Sequence, residues 1–270
     1  MTPGDLERAR QDEMIEANLA RIKRKILVMS GKGGVGKSTV ATYLALLLGS
    51  KGRRVGLLDV DLHGPSVPRL LNVQGGFEMP REGVVKPHRV SETLSMVSLE
   101  LALGDRDLAV IWRGPTKISA IRQFISDITW GELDFLIVDS PPGTGDEPLT
   151  VAQTIQGAEA LVVTTPQEIS LADVRKSINF CRQVNLTMLG LVENMSGLIC
   201  PHCHQSIPVF GSGGGVKTAE QMGIPFLGEI PMEERMVEMG DKGQLARLMH
   251  EPSLQINKAY GALVDRVLSA

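Results

Sequence analysis

Gly31-Lys32-Gly33-Gly34-Val35-Gly36-Lys37-Ser38 is the stretch that decides the fold. It fits G-x-x-x-x-G-K-[ST], and its flanks are those the motif requires: an apolar run, Lys25–Ser30, before it and a helix-forming segment, Lys37–Lys51, after it. Glycines let the backbone curl until successive N–H groups face inward, which builds an anion nest at a helix N-terminus. Lys37 is placed to reach the β- and γ-phosphates, and the Ser38 hydroxyl to ligate Mg²⁺. Gly31, Lys32, Gly33, Gly34, Val35, Gly36, Lys37, Ser38 and Thr39 are therefore the expected nucleotide-binding residues, with a nucleotide and Mg²⁺ as ligands.

Outward from this loop, short apolar runs alternate with helix-length segments. The runs are 25–30, 54–59, 94–99, 134–139, 159–164, 188–194 and 225–230; the helical segments are 37–51, 116–128, 171–184 and 214–222. Several runs lack polar alternation, as strands buried on both faces should. The pattern predicts an α/β fold: one P-loop NTPase domain with a doubly wound, mainly parallel sheet and helices on both faces. Met14, Ile15, Leu19 and Ile22 recur at helical spacing, so residues 1–24 read as an N-terminal amphipathic helix or tail and 25–270 as the domain. From Ser253 onward, Tyr260, Leu263, Val264, Val267 and Leu268 form the packing face of a closing helix.

Two acidic strand ends belong with the phosphate loop. Asp139 closes Phe135-Leu136-Ile137-Val138 and precedes Ser140-Pro141-Pro142-Gly143-Thr144-Gly145. An apolar strand ending in Asp is the expected means of fixing Mg²⁺ through its water shell. Asp59 and Asp61 follow Val55-Gly56-Leu57-Leu58 at another carboxyl strand end.

Composition narrows the function classes. Lys plus Arg number 28 against 31 Asp plus Glu, a net charge of -3, and there is no long basic stripe of the kind that grips nucleic acid. The one basic cluster, Arg21, Lys23, Arg24 and Lys25, reads as a solvated helix end. The most apolar stretch, Val40–Leu48, is about half as long as a membrane-spanning helix. No nucleic-acid or membrane partner is expected, and the cytoplasm is the expected location.

Three cysteines do not make a disulfide framework. Cys181 sits in a helical segment and reads as core. Cys200-Pro201-His202-Cys203 is half of a metal site, since zinc and iron–sulfur centres ordinarily take four protein ligands. Three readings compete: a redox pair, a zinc site recruiting His202 or His204, and a centre shared by two chains that each donate two thiolates. A redox pair would normally sit at a helix start near a first βαβ unit rather than beside so late a strand, and the spacing does not separate the last two.

The Gly-Lys-Gly-Gly-x-Gly-Lys-Ser form resembles the deviant Walker A group of MinD-, ParA- and ArsA-like ATPases. In that group the lysine equivalent to Lys32 reaches across a dimer interface to the partner's nucleotide. By the same resemblance Asp61 orients the attacking water and Asp59 supports the site; Lys32, Lys37, Asp61 and Asp139 form the expected catalytic set. The ordered set extends further, through Leu57-Leu58-Asp59-Val60-Asp61-Leu62-His63-Gly64-Pro65-Ser66, Trp112-Arg113-Gly114-Pro115, Val192-Glu193-Asn194-Met195-Ser196, the cysteine pair and Phe210-Gly211. Together these residues resemble the Mrp (ApbC) family of iron–sulfur cluster carrier ATPases. The resemblance implies a homodimer bridging one [4Fe-4S] cluster on Cys200 and Cys203 of both chains, a cluster donor, and apo iron–sulfur proteins as clients. It also implies that Asn194 approaches the adenine. Relatives with four cysteines near the N-terminus hold a further cluster; none is expected here, because residues 1–24 contain no cysteine. His204, where many relatives have glycine, keeps zinc open. The alternative is a MinD/ParA-like regulatory ATPase with a structural zinc at its dimer interface.

Overall fold

Ile22–Ser30 (β1) is the central strand, and from Ile26 to Ser30 it is almost fully enclosed. Successive side chains of a strand point to opposite faces. Ile26 and Val28 accordingly enter one apolar layer, while Leu27 and Met29 enter the other. A strand covered on both sides has no use for polar alternation, which is the pattern the sequence shows.

The computed structural model describes residues 3–61, 64, 66–76, 78–81, 83–103, 114–200, 202–203 and 205–270. Leu62, His63, Pro65, Trp112, Arg113, Pro201 and His204, named above for their motifs, lie outside the described residues. In chain order, α1 (Pro3–Leu19) precedes β1, and α2 (Lys37–Ser50), β2 (Val55–Asp59) and α3 (Val67–Leu70) follow it. Next come β3 (Glu78–Arg81), β4 (Val84–Lys86), β5 (His88–Arg89), β6 (Leu94–Ser98) and α4 (Leu99–Leu103). The second half runs α5 (Gly114–Asp127), β7 (Leu133–Asp139), α6 (Asp146–Thr154), β8 (Glu159–Thr164), α7 (Glu168–Gln183) and β9 (Thr187–Ile199). It closes with β10 (Ser206–Ile207), α8 (Gly214–Met222), β11 (Phe226–Met232), α9 (Glu234–Asp241), a 3-10 turn (Leu245–His250) and α10 (Gln255–Ser269).

The parallel part of the main sheet has the order β11-β9-β8-β1-β7-β2-β6. β5 adds antiparallel to β6, and β10 to the far end of β9. Helix α2 leaves β1 towards one face, where it packs with α9 and α10; α6 leaves β7 towards the other, with α1, α5, α7 and α8. The doubly wound α/β fold predicted from the sequence is therefore the observed one. Winding reverses between β1 and β7, and a crevice opens at the carboxyl ends of such strands, where ligands bind in folds of this kind.

Several boundaries differ from the sequence reading. Ile22 continues the helical spacing of Ile15 and Leu19, yet α1 ends at Leu19 and Ile22 pairs with Leu133 in the sheet. The basic cluster is therefore not a solvated helix end; it opens β1. There Lys23 meets Asp134 at 2.8 Å, and Arg24 meets Glu159 at 2.8 Å while lying over the Phe135 ring. β9 runs on to Ile199, five residues past the expected end, and α6 and α9 were not anticipated at all. In α10 the expected face is buried: Tyr260, Leu263, Val264 and Val267 enter the layer shared with α2, and Tyr260 meets Tyr43 edge-on at 4.8 Å.

Candidate nucleotide and cysteine sites

The phosphate loop links β1 to α2. Gly36 caps α2 with φ 82°, a conformation that L side chains resist, and a Cβ there would run into Asn194 Nδ2. Gly31 is held by close approach, since a Cβ would press on the Asp173 backbone of α7 at 2.5 Å. Two bonds set the loop's opening: Gly143 N–H donates to Ser30 O at 2.8 Å, and Ser30 Oγ donates to Lys32 O at 2.9 Å. The loop borders a cavity of about 310 Å³ whose walls include Lys32, Lys37, Ser38, Asp61, Ser66 and Pro142. The sequence reading set Lys32 apart from its own chain's phosphates; here, half-buried, it borders the same cavity.

At the cavity floor Lys37 Nζ lies 2.6 Å from Asp139 Oδ1, 3.3 Å from Asp61 Oδ2 and 3.5 Å from Ser38 Oγ. Asp59 and Asp139 are register partners on β2 and β7, which brings a third carboxylate alongside. Asp59 accepts the Asp61 N–H at 3.1 Å and the Ser98 hydroxyl at 3.0 Å, so it fixes the first turn after β2. Burial pushes the Lys37 ammonium down, but Asp139 and Asp61 outweigh it, and the group ends above the ordinary lysine range. Burial, with the Asp139 charge added, raises the Asp59 carboxyl well above the usual range. Burial also raises Asp139, against the pull of Lys37.

A divalent cation here would take the Ser38 hydroxyl and one carboxylate, Asp139, and find its other ligands in phosphate and water rather than in a protein cage. Three carboxylates face one ammonium, so the knot carries excess negative charge when ionised. Asp139 Oδ2 is buried without a hydrogen-bond partner, as is Ser140 Oγ beside it. An orphaned carboxylate oxygen behind the Ser38 hydroxyl is what the water shell of Mg²⁺ would use.

β9 brings the remaining candidates together. Asn194 donates from Nδ2 to Val35 O at 2.9 Å, which commits its amide nitrogen to the phosphate loop. It also borders a second cavity, of about 650 Å³, whose walls include Gly36, Thr39, Met195, Met232 and Tyr260. Gly36 and Thr39 border both cavities, so Asn194 stands at their junction.

Beyond Ile199 the strand turns through the cysteine segment into β10, with Cys200 N–H donating to Gln205 O at 3.0 Å. Cys200 is half-buried and Cys203 exposed. The Cys203 and His202 N–H groups, and then the Cys203 thiol, hold the Cys200 thiol below its ordinary range. Among the described residues no group of three or more His, Cys, Asp or Glu side chains is arranged to hold a metal, so His202 does not complete a site with the pair. Cys181 is core, in van der Waals contact with Met29 sulfur, and burial pushes its thiol up to about 11.

Sequence reasoning quoted Glu193 within a motif and gave it no role. It is fully buried, with Oε1 accepting from Ser196 Oγ at 2.6 Å and from Gly213 N–H at 3.1 Å, while Oε2 accepts from Gly215 N–H. The signal was an acid inside an otherwise apolar run.

Residues 21–268 match the family described as NUBPL iron-transfer P-loop NTPase (ParA). The chain belongs to this family. An iron-sulfur cluster carrier protein of Methanocaldococcus jannaschii is 44% identical over 261 residues, spanning 96% of this chain and 90% of the relative. The cytosolic Fe-S cluster assembly factor CFD1 of Saccharomyces cerevisiae is 47% identical over 250 residues, spanning 88% and 85%. A nucleotide-binding protein of Archaeoglobus fulgidus, solved with ADP, superposes with TM-score 0.77 at 37% identity over 87% of this chain and 92% of its own. The P-loop NTPase assignment thus stands on motif, geometry and family together. The family shown is broader than the Mrp (ApbC) group to which the motifs pointed. Among the described residues no helix is long and apolar enough to cross a membrane.

Proposed function

We propose that the chain is an ATP-dependent iron–sulfur cluster carrier of the Mrp (ApbC) type, acting in the cytoplasm as a homodimer. Its cargo is a [4Fe-4S] cluster held by Cys200 and Cys203 of both subunits, received from a cluster donor and passed to apoproteins. The observation that carries this reading is the cysteine pair, Cys200 half-buried and Cys203 exposed, at the end of the strand that braces the phosphate loop, two thiolates short of a full ligand set. Thiolates are soft anionic donors suited to iron–sulfur cores. A half-site on an exposed turn also permits release, which an enclosed four-cysteine pocket would oppose. The names of the relatives support the same cargo.

In this reading the loop N–H groups and Lys37 hold the β- and γ-phosphates. Ser38 and Asp139 hold Mg²⁺, which when bound neutralises phosphate charge. Asp61, fixed through its N–H by Asp59, orients the attacking water. Lys37 must exchange its two carboxylate contacts for phosphate, which releases Asp61 and Asp139 to those tasks. The partner subunit's Lys32 completes the charge at the phosphates, so hydrolysis is slow until two subunits close.

The test is iron, sulfide and zinc per chain after anaerobic purification and reconstitution, for wild type and Cys203→Ser. About two iron and two sulfide per chain, lost in the variant, is the expected result for one four-iron cluster per dimer. About half a zinc per chain without sulfide overturns the carrier reading and makes the cysteines structural.

A further inference from the structure

Glu193 and Asn194 are neighbours on β9, so their side chains leave opposite faces of the sheet. Asn194 reaches the phosphate loop at Val35 O. Glu193 gathers the N–H groups of Gly213 and Gly215, where α8 begins, beyond the cysteine turn and β10. The segment from 200 to 213 is therefore bracketed: it leaves from the end of β9 and returns to a carboxylate in the middle of β9. The next residue, Met195, has φ 57°, a left-handed conformation for a side chain without glycine's freedom. Such conformations persist where the surroundings over-determine them, and they gather at clamps and switches. The Met195 side chain turns back towards Gly36, with Cε 3.6 Å from where a Gly36 Cβ would stand. Ser196 then closes the turn by donating to Glu193.

We propose that Glu193 and Asn194 act as a two-sided clip, positioning residues through which the nucleotide state of the phosphate loop sets the conformation of the Cys200–Cys203 turn. A residue whose only task was to cap α8 would be satisfied by a local Ser, Thr, Asp or Asn at the N-cap. The cap here is Gly213, with no side-chain bond of its own, and the carboxylate comes instead from a buried strand position next to the loop's brace. In this arrangement a displacement of Val35 passes to Asn194 and through one peptide unit to Glu193, which holds the start of α8 and so the return of the segment that carries the cysteine turn and β10. The purpose of the coupling rests on the carrier reading; its geometry does not.

The experiment uses the full-length, metal-free, reduced protein and follows iodoacetamide alkylation of Cys203 by mass spectrometry, with and without saturating Mg-ADP. Wild type is expected to show a nucleotide effect on the alkylation rate of about five-fold or more, the lower range of allosteric coupling. In Glu193→Gln that ratio falls to about two-fold or less, while ADP affinity stays within about three-fold of wild type, since the residue touches no nucleotide-binding group. Ser196→Ala, which removes one of the bonds to Glu193 and leaves the carboxylate in place, gives an intermediate ratio and serves if Glu193→Gln folds poorly. An undiminished ratio in both variants, or no nucleotide effect in wild type, overturns the clip. Because no metal is present, these outcomes are independent of whether the cysteines carry a cluster or zinc.

Discussion

Lys37 Nζ lies 2.6 Å from Asp139 Oδ1, with both side chains buried, and this contact ties the phosphate loop to the end of β7. Asp139 is wholly buried and has no water to fall back on, so removing Lys37 leaves its charge uncompensated. Lys37→Met is expected to lower the stability of the nucleotide-free protein by about 3–5 kcal/mol, the usual cost of breaking a buried pair. Lys37→Met with Asp139→Asn should lose less than Lys37→Met alone, because the orphaned carboxylate is gone. Urea unfolding of the three proteins without nucleotide measures this. A loss under about 1 kcal/mol for the single variant would mean that Asp139 is stabilised without Lys37.

Asp59 predicts a pH dependence. Its carboxyl is raised well above the usual range by burial and by the Asp139 charge. Above about pH 4 the unfolded chain has released this proton while the folded chain still holds it, so the contribution to stability falls as pH rises towards the raised folded value. Asp59 and Asp139 titrate as a pair, and Lys37, itself raised, stays charged throughout. Asp59→Asn keeps an acceptor for the Asp61 N–H and removes the charge. It should match wild type near pH 4 and exceed it by roughly 1 kcal/mol or more at pH 8, the worth of one pKa unit. Denaturant unfolding at both values is the check, and a variant less stable than wild type at pH 8 would show that the Asp59 charge is needed for folding.

What the sequence showed and what it hid follow from the range of the interactions involved. β2, β7 and β8 were legible because each is apolar on both faces and ends at a turn signal. The phosphate loop was legible because its glycines and lysine act within eight consecutive residues. Arg24 was misread because its partner, Glu159, lies 135 positions away, and nothing local distinguishes a paired cation from a solvated one. Helix α6 begins with Asp146 and Glu147, acids that favour a helix N-terminus, but they directly follow a Gly-rich turn, and the sequence reading assigned no helix there. β9 was cut short at Asn194 because polar residues and Gly197 interrupt the apolar run there, whereas the strand continues to Ile199 through left-handed φ values at Met195 and Gly197. The role of Glu193 was hidden for the same reason as that of Arg24, since two of its three donors, Gly213 and Gly215, stand 20 and 22 residues on.

Gly36→Ala joins two costs at one atom. The new Cβ would sit in a left-handed conformation and would also meet Asn194 Nδ2. The conformational cost alone is about 1–2 kcal/mol. ADP binding by titration calorimetry is expected to fall by about two orders of magnitude or more, because the loop N–H groups lose their convergence on the phosphate. Adding Asn194→Ala removes the collision and leaves the strain, so the double variant should regain part of the stability lost by Gly36→Ala. If it regains none, the left-handed conformation accounts for the whole effect.

The cysteine turn makes a prediction that needs neither metal nor nucleotide. Two backbone N–H groups, of Cys203 and His202, and the Cys203 thiol converge on Cys200 and favour its thiolate. The rate of alkylation by iodoacetamide follows the thiolate fraction. The pH–rate midpoint for Cys200 should therefore lie below about 8.5, the value for a free cysteine. Cys203→Ala leaves both backbone donors and deletes only the weakest of the three, so the midpoint should rise slightly and stay below that of a free thiol. Cys181, buried against Met29 and pushed up to about 11, should remain unmodified in the folded protein across the same range. Peptide mapping by mass spectrometry resolves the cysteines separately. A Cys200 midpoint at or above the free-thiol value would show that the turn does not prepare a ligand, and that any metal must supply the deprotonation itself.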